Sequence, residues 1–145
     1  MKKYFKISIS ILLILICYMV YFYQTIGPEE LVKHHFKLQN QNAFFRIKAT
    51  VTPRHLSTNW NLNNIDEIKL LNIEEDTTGK IAEDYNSNGM GSTKNYQEVK
   101  GYVVTYALKN KVDGKSPLYS GEYNFNYVTV KKNRFSRWLI DDWGI

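Results

Sequence analysis

After a short lysine-rich start the chain runs unbroken and apolar from Ile7 to Tyr23, and the remainder is polar. At about 17 residues the run predicts a helix at the short end of what spans a bilayer. Gly27 ends a short link, and Pro28-Glu29-Glu30 begins the next helix, with proline at a first-turn position and carboxylates at the positive end of the dipole. Leu31, Val32, His35, Phe36 and Leu38 then recur at helical spacing and predict a helix over 28–40. Asn40-Gln41-Asn42 ends it, and Asn42 is placed to cap a second helix carrying Ala43, Phe44, Ile47 and Val51 on one side and stopping before Pro53. Residues 53–64 form a connector whose Leu56, Trp60 and Leu62 pack inward.

From Ile65 the period changes to two. Ile65 to Glu74 is a strand. Residues 96–109 form a long strand apolar on both faces, with Tyr102, Val104, Tyr106 and Leu108 against Val99, Val103 and Ala107. A turn over 110–116 leads to a return strand over 118–132, with Tyr119, Tyr123, Phe125 and Tyr127 on one side and Glu122, Asn124 and Asn126 on the other. After Lys132-Asn133 a last strand runs from Phe135 to Trp143. The polar segment 76–95 exceeds ordinary connection lengths and is expected to be a mobile flap or disordered loop, a candidate pocket lid. The predicted class is α+β: an N-terminal transmembrane helix over 1–26, then a conical domain over 27–145 with helices packed on a strongly bent antiparallel sheet.

Pro28-Glu29-Glu30-Leu31-Val32 through Phe36, then Ile65 to Glu75, Tyr102 to Tyr106 and Trp138 to Gly144 carry a family resemblance. The order of elements resembles the nuclear-transport-factor-2-like superfamily. More narrowly, it resembles an extracytoplasmic domain family of Gram-positive bacteria that stands behind a lipoprotein signal or a single-span anchor. The resemblance implies a barrel-like cone with a pocket between sheet and helices.

Charge sets the orientation of the anchor. Lys2, Lys3 and Lys6 precede the run without a nearby carboxylate, which keeps the N-terminus in the cytosol and the rest outside. Tyr18, Tyr21 and Tyr23 at the far end suit the headgroup level. The exit Tyr-Phe-Tyr-Gln-Thr-Ile has no small-residue cleavage site, and Ile14-Leu15-Ile16 before Cys17 makes a poor lipobox, so the expectation is an uncleaved single pass in the cytoplasmic membrane. With the only cysteine inside the anchor, the exported part has no disulfide. Of 19 basic residues three belong to the anchor, so 16 face all 14 carboxylates in the rest of the chain. The pI of about 9.2 therefore owes much to the anchor, and no basic stripe argues for nucleic acid.

Candidate chemistry is sparse. His34 and His35 point about 100° apart on a helix and do not share a metal ion; no H-x-x-x-H or C-x-x-C pairing exists, and neither metal nor cofactor is expected. Asp141 and Asp142 face opposite sides of the last strand, and Glu122 is the candidate partner for whichever looks inward. The alternative for these aspartates is a structural hydrogen bond to backbone or a tyrosine hydroxyl. Gly89-Met90-Gly91-Ser92-Thr93-Lys94 lacks phosphate-loop spacing. The tyrosine stripe either lines a ligand cleft or forms core beneath the helices. The pocket candidates are His35, Phe36, Tyr102, Tyr106, Glu122, Tyr123, Tyr127 and Asp141.

The expected role is a non-catalytic, membrane-anchored binding or assembly module whose partners are the lipid bilayer through residues 7–23 and a small ligand or protein, self-association included. Two other readings stay open: a scaffold subunit resembling inner-membrane components of type IV secretion, and a small acid/base enzyme using a pocket carboxylate.

Overall fold

The computed structural model describes residues 2–144, with side chains from Ile7 onward. The elements are α1 (Lys2–Thr25), α2 (Pro28–Asn40), α3 (Phe44–Ile47), β1 (Ile65–Glu75), α4 (Lys80–Ser87), β2 (Glu98–Asn110), β3 (Gly121–Lys131) and β4 (Leu139–Gly144), with short 3-10 turns between them. Within α1, Ile7–Thr25 forms a 19-residue apolar helix of mean hydropathy 2.0, long enough to cross a membrane and consistent with a signal anchor or signal sequence.

Helix α2 forms as its sequence dictates. Pro28 occupies the first turn, and Lys33 bridges Glu29 and Glu30, each at 2.7 Å. Its apolar stripe, Leu31, Val32 and Phe36, lies against Tyr102, Tyr106 and Tyr127 of the sheet. The second predicted helix is only one turn. Asn42 takes a left-handed φ of 52° and turns the chain instead of capping it. A 3-10 turn follows at Lys48–Thr50, where the Thr50 hydroxyl bonds the Ile47 carbonyl at 2.6 Å. Val51 then extends into a parallel bridge with Ile140.

The four strands pair antiparallel in the order β1-β2-β3-β4. The expected conical domain on a strongly bent sheet is corrected here: the sheet is not strongly curled. Bulges are what bend a sheet locally. They occur in the β1–β2 and β3–β4 pairings, whereas the central β2–β3 ladder runs unbroken from Glu98↔Lys131 to Leu108↔Gly121.

The expected flap over 76–95 is also corrected. It contains α4 and a 3-10 turn, Met90–Thr93. Ile81 and Tyr85, one helical turn apart, pack on the face of the sheet opposite α2, against Val99, Val128, Val130 and Leu139. Gly101 permits this approach, since a Cβ there would lie 2.5 Å from that of Ile81. The sheet is thus covered on both faces. The last strand begins at Leu139, later than expected, because Asn133 caps a turn through bonds to the Phe135 and Ser136 amides.

Candidate functional site

Two constellations lie on opposite faces of the sheet's β3–β4 edge. On the α2 face, an open cleft of about 320 Å³ lies between the segment 58–61, the inner face of β2 and β3, and the 116–118 turn. Trp60 and Trp143, 4.9 Å apart, Tyr106, Tyr127, Phe125 and Leu118 form its walls, and Gln39, Asn59, Asn61, Asn110 and Ser116 give it a polar rim. Among the described residues no carboxylate, imidazole, lysine or arginine lines it. Burial pushes the Tyr106 and Tyr127 hydroxyls well above the usual phenol range, so both remain neutral.

The predicted pocket residues divide among several places. Tyr106 and Tyr127 line the cleft. Phe36 and Tyr102 are sealed in the core under α2. Tyr123 stacks on Tyr106 at 5.6 Å, at the cleft's margin. His35 is fully buried behind the wall, 4.9 Å from the Trp60 ring. Its Nδ1 lies 2.7 Å from Thr50 Oγ1, and its Nε2 lies 2.8 Å from Gln39 Nε2. The Thr50 hydroxyl already donates to Ile47, so it accepts from His35 Nδ1–H, leaving Nε2 to accept from the Gln39 amide. The ring is therefore a neutral, satisfied tenon between α2 and the following turn, and burial lowers its pKa to about 3.

Glu122 and Asp141 are not brought together. Glu122 is exposed, opposite Ala107, while β4 pairs only with Asn126 to Val130 of β3. Asp141 is the second constellation. Val128 pairs with Asp142 and Thr129 with Ile140, so Asp141 is the extra residue of a bulge. Such a residue leaves the ladder and is re-aimed; here the carboxylate turns toward α4. It is 1% exposed, accepts hydrogen bonds from Tyr85 at 2.5 Å and from the Thr52 hydroxyl, and lies 3.2 Å from Arg54 Nε. The Asp141 carbonyl takes a bond from Arg54 Nη2 and another, at 2.7 Å, from His55 Nε2. His55 in turn packs on Trp143, the rings tilted at 46° with centres 4.4 Å apart, and so links the carboxylate network to the cleft wall. The Tyr85 hydroxyl is pushed far up by burial and by its bond to the carboxylate, so it acts as a fixed donor.

Arg54 and His55 sit in the expected connector, Thr52 at the end of the expected second helix, and Tyr85 in the expected flap. The one local signal for Tyr85 was its four-residue spacing from Ile81. Among the described residues no group of three or more His, Cys, Asp or Glu is placed to hold a metal ion.

An aromatic cleft and a buried, fully engaged carboxylate thus mark the two faces of this α+β domain. The chain belongs to the family described as Domain of unknown function (DUF4829), whose model matches residues 29–144. No curated protein and no solved structure matches it.

Proposed function

We propose that the chain is a membrane-anchored, non-catalytic binding module, its N-terminus in the cytosol and its 27–145 domain outside the cytoplasmic membrane, and that the aromatic cleft holds a neutral, largely apolar small ligand. The observation carrying this reading is the cleft's lining: paired indoles and buried phenols beside amide groups, with no charged side chain among the described residues. Such a wall favours flat or apolar groups and fixes them through a few polar contacts. An anionic or cationic ligand would lose its hydration there without a counter-charge. The three N-terminal lysines and the apolar helix support the orientation. A pocket between helix and sheet accords with the nuclear-transport-factor-2-like resemblance. The acid/base reading draws no support from Glu122, which stands on the surface away from Asp141.

The test is a thermal-shift screen of the full chain in lipid nanodiscs against neutral aromatic and aliphatic compounds. A saturable rise in Tm that disappears in Leu118→Phe, which fills the cleft, is the expected result. A screen with no saturable shift sensitive to Leu118→Phe would overturn the reading.

A further inference from the structure

A second cavity, of about 600 Å³, opens where the anchor meets the domain. Gln24 of α1 forms part of its wall, together with Lys94, Lys132, Arg137 and Arg54. Its depth relative to a bilayer follows from one contact. The Arg137 guanidinium lies 5.7 Å from the centre of the Tyr23 ring, and Tyr23 hydrogen-bonds His34 of α2 at 3.2 Å. Tyr23 is two residues, about 3 Å of helix rise, from the end of the apolar span at Thr25. The cavity therefore opens at the headgroup level of the leaflet that α1 leaves.

Its charge is unbalanced. Asp141 is the single carboxylate in the lining among the described residues, and Arg54, Thr52 and Tyr85 already engage it. None of the ion pairs among the described residues includes Lys94, Lys132 or Arg137. Three cations from two separate turns, the one after Thr93 and the one joining β3 to β4, thus converge on one concavity without a counter-ion among the described residues. On the second of these turns Phe135 is 77% exposed, with the Arg134 guanidinium 4.5 Å from its ring centre. Apolar rings flanked by cations suit an anionic interface.

We propose that this cavity binds a phosphate group, specifically the phosphodiester headgroup of an anionic phospholipid, through Lys94, Lys132 and Arg137. Arginine grips phosphate oxygens as a fork and lysine as a point charge, so the three suit one phosphodiester. The inference rests on α1 crossing the membrane, and it concerns a different site from the aromatic cleft.

The full chain would be reconstituted into vesicles of phosphatidylcholine alone or mixed with phosphatidylglycerol, floated to confirm insertion, and released for native mass spectrometry of retained lipid. Phosphatidylglycerol retained selectively over phosphatidylcholine, and lost in Lys132→Gln/Arg137→Gln, supports the proposal. Each removed cation should weaken retention about fivefold. Lys132→Arg should keep it, and near-UV circular dichroism should show both variants folded. Equal retention of the two lipids in a floating chain would overturn the proposal while sparing the anchor. So would unchanged selectivity in the double variant, which would assign lipid preference to the lysines at the other end of α1. Binding of inorganic phosphate or glycerol phosphate without lipid retention would identify a soluble phosphate ligand and overturn the lipid assignment. A chain that fails to float removes the anchor, and this proposal with it.

Discussion

Tyr85 on α4 donates its hydroxyl to Asp141 on β4 at 2.5 Å, joining residues 56 positions apart. The bond ties a helix on the outer face of the sheet to the strand that also bears the cleft's Trp143. Tyr85→Phe keeps the ring and removes one donor from a buried carboxylate, which should cost about 1–3 kcal/mol. Arg54→Met removes the counter-charge and should cost more, about 3–5 kcal/mol. Because both act on Asp141, the double variant should be non-additive. Denaturant unfolding of the single and double variants checks all three values.

Acid should weaken the domain through His35. Its folded pKa of about 3 lies below the ordinary 6.5, because burial disfavours the imidazolium and the charges of His34 and His55 oppose it further. Above pH 6.5 neither folded nor unfolded chain protonates the ring, and the stability is fully present. As pH falls below 6.5 the unfolded chain takes up a proton that the native ring refuses, so stability drops toward pH 3 by up to about 5 kcal/mol. His34, also lowered mainly by burial, acts in the same direction. Unfolding free energies between about pH 4.5 and 6.5 should slope downward with acid, and His35→Gln should reduce that slope without abolishing it.

Gly101→Ala probes the contact of α4 with the sheet. The new methyl would meet Ile81 Cβ at 2.5 Å and Cγ2 at 2.6 Å, so the helix must move away. The cost should be about 1–3 kcal/mol, as for other overpacked contacts. Hydrogen exchange should show lost protection across 80–87, with the β2–β3 ladder still protected.

Membrane-extracted protein should retain its N-terminal residues and carry no lipid on Cys17, as an intact-mass measurement would show. Protease added outside intact spheroplasts should cut the 27–145 domain. A mass beginning after Tyr23, or a domain protected from external protease, would contradict the proposed placement.

Local pattern carried much of the fold. The stripe Leu31, Val32, His35, Phe36 and Leu38 marked α2, and the alternation of Tyr102 to Leu108 and Tyr123 to Tyr127 marked the inner faces of β2 and β3. These signals are legible because burial repeats at the period of the element itself. The short α4 was illegible: eight residues hold only one apolar pair, Ile81 and Tyr85, within a polar stretch. Alternation alone puts Asp141 and Asp142 on opposite faces of the strand; the single-residue bulge brings both to the α4 side, where Arg54 Nη2 also lies 3.4 Å from Asp142 Oδ1.

The sequence alone determined an apolar N-terminal helix preceded by lysines, an α+β order of elements and a chain without disulfide pairs, all properties of composition and short-range periodicity. Tertiary structure alone decided that the sheet stays open and is covered on both faces. It also decided that His35 and Phe36 serve the packing while Trp60 and Trp143 wall the cleft, and that Asp141 meets Thr52, Arg54 and Tyr85. Those contacts join residues 56 to 89 positions apart, and no local period encodes a pairing over that distance.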